Sequence, residues 1–460
     1  MAPGPDEQGA IYINALSGNA VMPLFKAYDV RGVYPSEINE AIMEDIGRAF
    51  ADFIPGKKIA VGYDMRVSGP SLFKAFTGGV LRQGKDVLDF GLTSTPMSYF
   101  ACNHLKADGC AMITASHNPK EYNGVKFTRE NAIPISGDTG LQEMEAIIEK
   151  RAFKSVSTLG KLTRCDIKKA YARHLQKFSE GIKPLKVVVD AANGMGAQDF
   201  SLAKLPLKGT RLFFDIDGTF PNHDANPMQE GATDMLRKTV LKKADLGIAF
   251  DGDADRIFFV DEKGRLISGD LITALIAEHM LKRHPKATIL YDLRSSRIVA
   301  ETIKKAGGRP LKCRVGHSFI KQQMRKEKAL FAGELSGHFY FRDNFYTDSA
   351  ILTALWMLRL LSATKKPLSQ LVRPLRKYHS SGEINLEVDN KTAAMKALEK
   401  AHPKAKRTRL DGISIEYRDW WCNVRASNTE SLLRLNLEAD SKKLLDIKKK
   451  EVLRILKTHD

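Results

Sequence analysis

The sequence predicts an α/β protein: three similar mixed α/β domains followed by a smaller C-terminal α+β domain. Three observations predict it. A short apolar run ending in Asp, with a polar or glycine-containing loop after it, recurs at residues 59–64, 187–190, 247–251 and 289–292. Continuous apolar strands of this kind belong to parallel sheets covered on both faces, and ligands gather at their carboxyl ends. Helical stretches separate the runs, and that alternation marks repeated α/β units. The third observation is length, since 460 residues at ~150 per domain make about three domains.

In chain order, residues 1–22 are expected to form a flexible tail, as termini often do. Asp6 and Glu7 put acid where a signal peptide carries base, and no apolar stretch follows. The first α/β domain is expected over 23–154. A charged stretch at 150–166 leads into the second, 155–261, and the turn Asp261-Glu262-Lys263-Gly264 into the third, 262–368. Within the third, residues 271–281 read as a helix with Ser268 and Asp270 as capping candidates. The longest apolar run, 350–361, carries Arg359. It falls short of the ~20 residues of a membrane span and reads as a buried helix. After 363–367 the texture changes. Residues 369–460 combine strand-like alternation at Leu433, Leu435 and Leu437 with an amphipathic helix whose apolar face includes Leu445, Val452 and Leu456.

A composition of 43% hydrophobic and 27% charged residues excludes a largely disordered chain. Cys102, Cys110, Cys165, Cys313 and Cys422 contain no CxxC pair, which points to reduced thiols and a cytoplasmic setting. The 72 Lys and Arg against 54 Asp and Glu leave a net charge of +18. These basic residues are spread out and lack interleaved aromatics, so steering of small phosphates, or a plain solvated surface, is expected rather than nucleic-acid binding. Two glycine-bearing stretches imitate nucleotide sites. Gly79-Val80-Leu81-Arg82-Gln83-Gly84-Lys85 opens like a P-loop, but Asp86 stands where Ser or Thr must bind metal, and the residues before it look helical. Asn193-Gly194-Met195-Gly196 follows a strand, but Asp199 replaces the third glycine of a dinucleotide site. These glycines are expected to serve a tight turn, and a nicotinamide-dependent dehydrogenase stays as a lesser alternative.

Four constellations carry chemistry. Thr114-Ala115-Ser116-His117-Asn118-Pro119 follows the apolar residues 110–113, so Ser116 sits on a loop at a strand end. A hydrolase serine would need the flanking glycines of a nucleophile elbow, which are absent; an ordinary Asn-Pro turn is the competing reading. In Asp251-Gly252-Asp253-Ala254-Asp255-Arg256, carboxylates at every second residue can face one side of an extended segment. Three clustered anions call for a hard cation. The stretch also begins like a calcium loop, with Glu262 at its twelfth position, but Arg256 replaces the needed glycine and apolar strands, 247–250 and 257–260, flank it. Mg²⁺ in an α/β site fits better. Gly333-Glu334-Leu335-Ser336-Gly337-His338 offers groups that donate to and accept from sugar hydroxyls, although alone it reads as a turn. Arg425-Ala426-Ser427-Asn428-Thr429-Glu430 offers donors for a phosphate. It also matches a helix-capping box, but residues 433–437 alternate as a strand, which excludes the cap.

These four motifs, in this order from about Phe25 to the C-terminus, resemble the α-D-phosphohexomutase superfamily, and within it the bacterial phosphomannomutase/phosphoglucomutase group. The resemblance implies four domains around a central cleft, each lending one loop. It implies that Ser116 becomes a phosphoserine and that Asp251, Asp253 and Asp255 bind Mg²⁺, with the phosphorylated Ser116 completing the shell. Glu334, Ser336 and His338 would recognise the sugar, and Arg425, Ser427, Asn428 and Thr429 a phosphate. Tyr28 and Arg31, in Ala27-Tyr28-Asp29-Val30-Arg31-Gly32, match a further cleft motif, and Lys126 matches a lysine near the serine. His117, Lys126, His317 and His338 are candidates for handling the hydroxyl proton; Arg31, Arg256 and Arg294 are expected to offset charge. Arg294 stands where the bacterial enzymes carry lysine, and an arginine does not readily give up a proton. Leu335 and Ser431 also depart from the pattern, replacing Met and Pro. The implied activity is interconversion of hexose 1-phosphate and hexose 6-phosphate (mannose and/or glucose) through a bisphosphorylated sugar, with hexose 1,6-bisphosphate as activator. Phosphoglucosamine mutase is the alternative substrate class. The implied partners are phosphorylated hexoses, with neither nucleic acid nor membrane, and a monomer or weak oligomer in the cytoplasm.

Overall fold

The computed structural model describes residues 24–427 and 432–457, which form four sheets in sequence order. The first three are built alike. In each, a buried central strand (Lys58–Tyr63, Lys186–Asp190 or Thr288–Asp292) is flanked by two parallel partners. The second of these partners turns back through a loop into an antiparallel strand. Those turning pairs are Gly109–Ile113 with Tyr122–Arg129, Leu246–Phe250 with Ile257–Asp261, and Phe331–Gly333 with Phe339–Phe341. The fourth sheet, Lys406–Thr408, Ile413–Glu416, Trp420–Ala426, Leu433–Ala439 and His379–Leu386, is antiparallel throughout. Three mixed α/β units and a C-terminal α+β unit are therefore present, as the alternating pattern predicts.

Two short edge strands depart from the expected divisions. Leu162–Arg164 pairs with the first sheet and Leu266–Ile267 with the second, although the sequence reading placed each in the following unit. A charged or turn-rich stretch does not itself end a sheet, because an edge strand needs backbone pairing rather than apolar side chains.

Local signals explain the main helices. Asn39 caps Glu40–Phe53 by accepting from Ile42 N at 3.1 Å, and Ser94 caps Thr95–His104 by accepting from Met97 N at 3.1 Å. Asp270 accepts from Leu271 N at 2.8 Å at the start of Gly269–Leu281. Ala350–Thr364 is buried on nearly all sides, as its composition predicts, with Arg359 stacked over Trp356. Lys442–Lys457 buries Leu445, Val452 and Leu456. Among the described residues, no helix is long and apolar enough to cross a membrane.

The nucleotide look-alikes have packing explanations. Gly79 lies inside the helix Gly69–Arg82, where a Cβ would sit 2.1 Å from Glu44 O of the crossing helix. Around Gly194 the turn's positive φ angles fall on Ala192 and Asn193, at 50° and 53°, not on the glycines. Gly194 and Gly196 are required for close approach instead. Added Cβ atoms would meet Gly252 O at 2.5 Å and the Phe250 ring at 2.5 Å. The expectation that they serve the turn itself is thus corrected: they let this turn lie against the Asp251 loop.

Candidate active site

The three motif loops of the α/β units occupy one topological position, the connection between a parallel strand and its antiparallel return. The stretch that includes Arg425 and Ser427 connects two antiparallel strands of the fourth sheet. These connections meet. Ser116 Oγ lies 3.3 Å from Asp251 Oδ2, and Lys126 Nζ lies 2.6 Å from Asp253 Oδ2 and 2.5 Å from Asp255 Oδ2. His338 Nε2 lies 3.3 Å from Asp255 Oδ1, and a β-bridge joins Arg256 to His338. Arg294 Nη1 lies 3.5 Å from Glu383 Oε2, which joins the third unit to the fourth.

Ser116 is buried and has φ 52°, a left-handed conformation that costs a non-glycine residue ~1–3 kcal/mol. Its surroundings enforce it. Its N–H donates to Thr114 Oγ1 at 2.8 Å, and that hydroxyl donates to Asp64 Oδ2 at 2.5 Å. The buried Arg66 guanidinium then donates to the carbonyls of Ser116 (2.9 Å), Asn118 (2.6 Å), Pro119 (2.7 Å) and Tyr122 (2.8 Å). Sequence reasoning missed Arg66. One signal was available: Asp64-Met65-Arg66 and Asp292-Leu293-Arg294 are the same Asp-x-Arg pattern after equivalent strands. In both, the aspartate accepts from the N–H two residues on, at 3.1 and 2.7 Å. Thr95 was also missed; it donates through Oγ1 to Asp253 Oδ2 at 2.5 Å.

Asp251, Asp253 and Asp255 are buried and bring carboxylate oxygens within 4.8 Å of one another. They do so on a tight turn with Ala254 at φ 61°, not on an extended segment as the alternating spacing suggests. A wrapped turn converges on a point, whereas a strand would space the oxygens along a line. Burial, then Asp255 and Asp253, push the Asp251 carboxyl well above its usual range. At Asp255 burial acts the same way, but Lys126 and His338 outweigh it and hold that carboxyl down. Asp253 Oδ1 is buried with no hydrogen-bond partner. Clustered oxygens with unmet acceptor capacity fit a hard divalent cation, and the Asp251, Asp253 and Asp255 group can bind one.

The histidines separate by environment. Burial, with Arg256 and Arg31 close by, pushes His117 well below its usual value; its Nδ1 lies 3.3 Å from Ser116 Oγ. Burial and Lys321 do the same to His317, whose ring meets Tyr28 edge-on. His338 goes the other way. Burial opposes its charge, but Asp255 and Glu334 raise it to about 9. Glu334 is held in place: it accepts from Gly316 N at 3.0 Å and Tyr340 OH at 3.1 Å, and pairs with His338 Nδ1 at 3.0 Å. Ser336 Oγ completes this cluster, 3.2 Å from Glu334 Oε2.

On the first unit, Arg31 donates to Asn118 Oδ1 at 2.7 Å and pairs with Asp29. Tyr28 OH donates to Val315 O at 3.3 Å, and burial, then Asp411 and Glu334, push its hydroxyl up to about 12. Arg256 Nε lies 3.3 Å from His338 Nε2. Arg294 donates to Asp292 Oδ2 at 2.7 Å, and despite burial this carboxylate pushes its proton affinity further up. Arg425 is buried and donates to Glu383 Oε2 at 3.0 Å; Ser427 is half-buried at the start of its loop. Asn428, Thr429 and Ser431 lie outside the described residues.

Comparison with known proteins agrees with this construction. Family models for phosphoglucomutase/phosphomannomutase match one to each unit: α/β/α domain I on residues 22–155, domain II on 169–264, domain III on 268–378 and the C-terminal domain on 383–455. The chain is 40% identical over 447 residues to a protein named phosphohexose mutases from Xanthomonas campestris, covering 95% of this chain and 99% of that one. It is 40% identical over 430 residues to phosphomannomutase of Escherichia coli K12, covering 90% and 94%. A crystal structure of a phosphoglucomutase/phosphomannomutase family protein from Burkholderia thailandensis superposes with a TM-score of 0.88 at 33% identity, covering 95% of this chain and 97% of that one. With a family model on each of its four units and this identity along nearly its whole length, the chain belongs to the phosphoglucomutase/phosphomannomutase family of the α-D-phosphohexomutase superfamily and is a phosphohexose mutase, an intramolecular phosphotransferase.

Proposed function

We propose that the enzyme interconverts hexose 1-phosphate and hexose 6-phosphate, of mannose and/or glucose, through a phosphoserine at position 116 and a bisphosphorylated sugar. The observation that carries this is the position of Ser116 Oγ, held on a strained loop 3.3 Å from Asp251 at the meeting point of three units. The phosphomannomutase names of the relatives support mannose as one sugar.

In the forward half, a free sugar hydroxyl oxygen bonds to the phosphorus on Ser116, the Oγ–P bond breaks, and the hydroxyl proton passes to a base. His117, whose Nδ1 lies 3.3 Å from Ser116 Oγ, and His317 are both pushed toward the neutral form by burial, which suits either to accept it. His338 and Lys126 already carry their protons and instead offset negative charge together with Arg31, Arg256 and Arg294. The bisphosphorylated sugar then presents its other phosphate, and the steps run in reverse onto Ser116. Asp251, Asp253 and Asp255 would hold Mg²⁺, with the serine phosphate completing its shell; when bound, it neutralises charge on the transferring group. Arg425, Ser427, Asn428 and Thr429 hold the distal phosphate, which they recognise without reading the sugar. Glu334, Ser336 and His338 orient the hydroxyls, with Tyr28 beside them. Hexose 1,6-bisphosphate activates by handing one phosphoryl to an unphosphorylated Ser116.

Intact mass and peptide mapping of active protein should find one phosphate on Ser116, and Ser116→Ala should lose nearly all turnover, at least ~10³-fold on the scale of losing a covalent intermediate. Full activity in that variant would sink the mechanism. Parallel assays on mannose, glucose, glucosamine and N-acetylglucosamine phosphates rank the sugars.

A further inference from the structure

Glu383 was not singled out by any sequence pattern, yet three guanidinium groups converge on it. Its Oε2 accepts from Arg425 Nη2 at 3.0 Å and lies 3.5 Å from Arg294 Nη1; its Oε1 lies 3.4 Å from Arg434 Nη1. It stands at an irregularity in the strand His379–Leu386, where the pairing register shifts between Ser380 and Glu383. The partners differ in exposure. The side chains of Arg425 and Arg294 are 2% and 7% exposed, that of Glu383 26%. The carboxylate is therefore on the solvent side of two buried cations. Among the described residues, each of those cations also keeps a buried Nε–H without a hydrogen-bond partner. A carboxylate offers two acceptor oxygens and one charge. A phosphate offers more of both, and buried guanidiniums with unmet donors favour it.

We propose that Glu383 is a positioning residue of the distal-phosphate site: it presents Arg425 and ties it to Arg294 before a phosphate binds, then yields the guanidinium to the sugar phosphate. This rests on the reading of Arg425 as a phosphate ligand. The consequence suits a mutase. Its bisphosphorylated intermediate must release one phosphate from this site to offer the other, and a resident carboxylate that competes for Arg425 keeps the grip reversible. A residue that merely held Arg425 in shape would have the opposite effect on affinity when altered.

The test is calorimetric titration of the full-length protein with inorganic phosphate, beside steady-state kinetics on hexose 1-phosphate. Removing one like charge beside the incoming anion should tighten phosphate binding in Glu383→Gln about five- to tenfold, with KM falling and kcat falling with it. Glu383→Asp keeps the charge and should stay within about twofold of the parent. Unchanged or weaker phosphate binding in Glu383→Gln, while Arg425→Ala abolishes it, overturns the proposal alone. Unchanged binding in Arg425→Ala overturns the phosphate-site reading beneath it. Should Glu383→Gln fail to fold, Glu383→Asn removes the same charge while keeping an amide oxygen for Arg425, and must likewise tighten binding.

Discussion

Asp199 shows what a single buried carboxyl does to this protein. It sits in the second unit, wholly buried, and takes hydrogen bonds on Oδ2 from Ser94 at 2.7 Å and Tyr171 at 3.3 Å. Its Oδ1 has no partner. Burial pushes the carboxyl up to about 7, although the two hydroxyls pull the other way. Between the ordinary value of 3.8 and about 7, the folded chain keeps a proton that the unfolded chain has released. This group's contribution to stability is therefore fully present below that window and is lost as pH rises through it. Asp199→Asn should flatten that part of the profile. The drop in urea midpoint between about pH 4 and pH 8 should be smaller in the variant than in the parent, and equal drops would refute the assignment. The sequence marked Asp199 only as a misplaced residue in a glycine motif, because its burial depends on Ser94 and Tyr171, both remote in sequence. Arg66 was marked only by the repeated Asp-x-Arg pattern, because its acceptors are four backbone carbonyls remote in sequence. The Ser116 loop and the clustering of the aspartate triplet were legible because each lies within a short run of sequence. The convergence of the triplet was not, since a turn and a strand can carry the same alternating spacing.

The elements were easier to read than their contacts. Apolar runs ending in Asp located the central strands, and the switch in texture located the fourth unit. What the pattern could not show is that the Ser116, Asp251 and Glu334 loops occupy one topological position. Their residues differ, so only the strand order exposes the repeat. Helix crossings were equally hidden. Glu40–Phe53 and Gly69–Arg82 approach so closely that a Cβ on Gly47 would lie 2.2 Å from Phe76 O, and one on Gly79 2.1 Å from Glu44 O. The neighbouring Gly78 has nothing within 4 Å of its added Cβ. This gives a paired prediction. Gly79→Val must force the helices apart and should cost ~2–4 kcal/mol, as overpacking at a crossing does. Gly78→Ala, one residue away, should stabilise by up to ~1 kcal/mol through helix propensity. Denaturant melts of both variants decide it, and similar effects at the two positions would rule out the crossing as the reason for Gly79.

At the scale of the molecule, the proposed role of Arg425 depends on how the fourth unit is joined to the third. Two sets of contacts join them. On the active-site side, Arg294 meets Glu383, and Val315 N donates to Asp411 Oδ2 at 3.3 Å. Away from it stands Arg297, the first residue of the helix Arg297–Lys305. Its guanidinium donates to the carbonyls of Arg418 at 2.7 Å and Trp420 at 2.9 Å, and also to that of Tyr417. Its N–H donates to Glu438 Oε1 at 3.1 Å, an oxygen that also accepts from Trp421 Nε1 at 2.8 Å. The first set is an ion pair and a backbone N–H on a carboxylate; the second is made mostly of backbone carbonyls gathered on one guanidinium. Arg297 therefore ties the third unit to the fourth through a single side chain. Arg297→Ala removes several charge-assisted hydrogen bonds, each worth at most ~1.5–3 kcal/mol, the one to the exposed Arg418 least. It leaves every residue near Ser116 in place. Two effects should follow together: faster hydrogen exchange confined to the Trp420–Ala426 and Leu433–Ala439 strands and the residues leading into them, and a KM for hexose phosphates raised several-fold. The rate of phosphoryl transfer in single turnovers at saturating substrate should stay close to that of the parent, because the proposed reacting groups belong to the first three units. A variant that slowed the chemical step at saturation, with no change in exchange at the fourth unit, would show that Arg297 acts on the reacting groups and not as a tie between units.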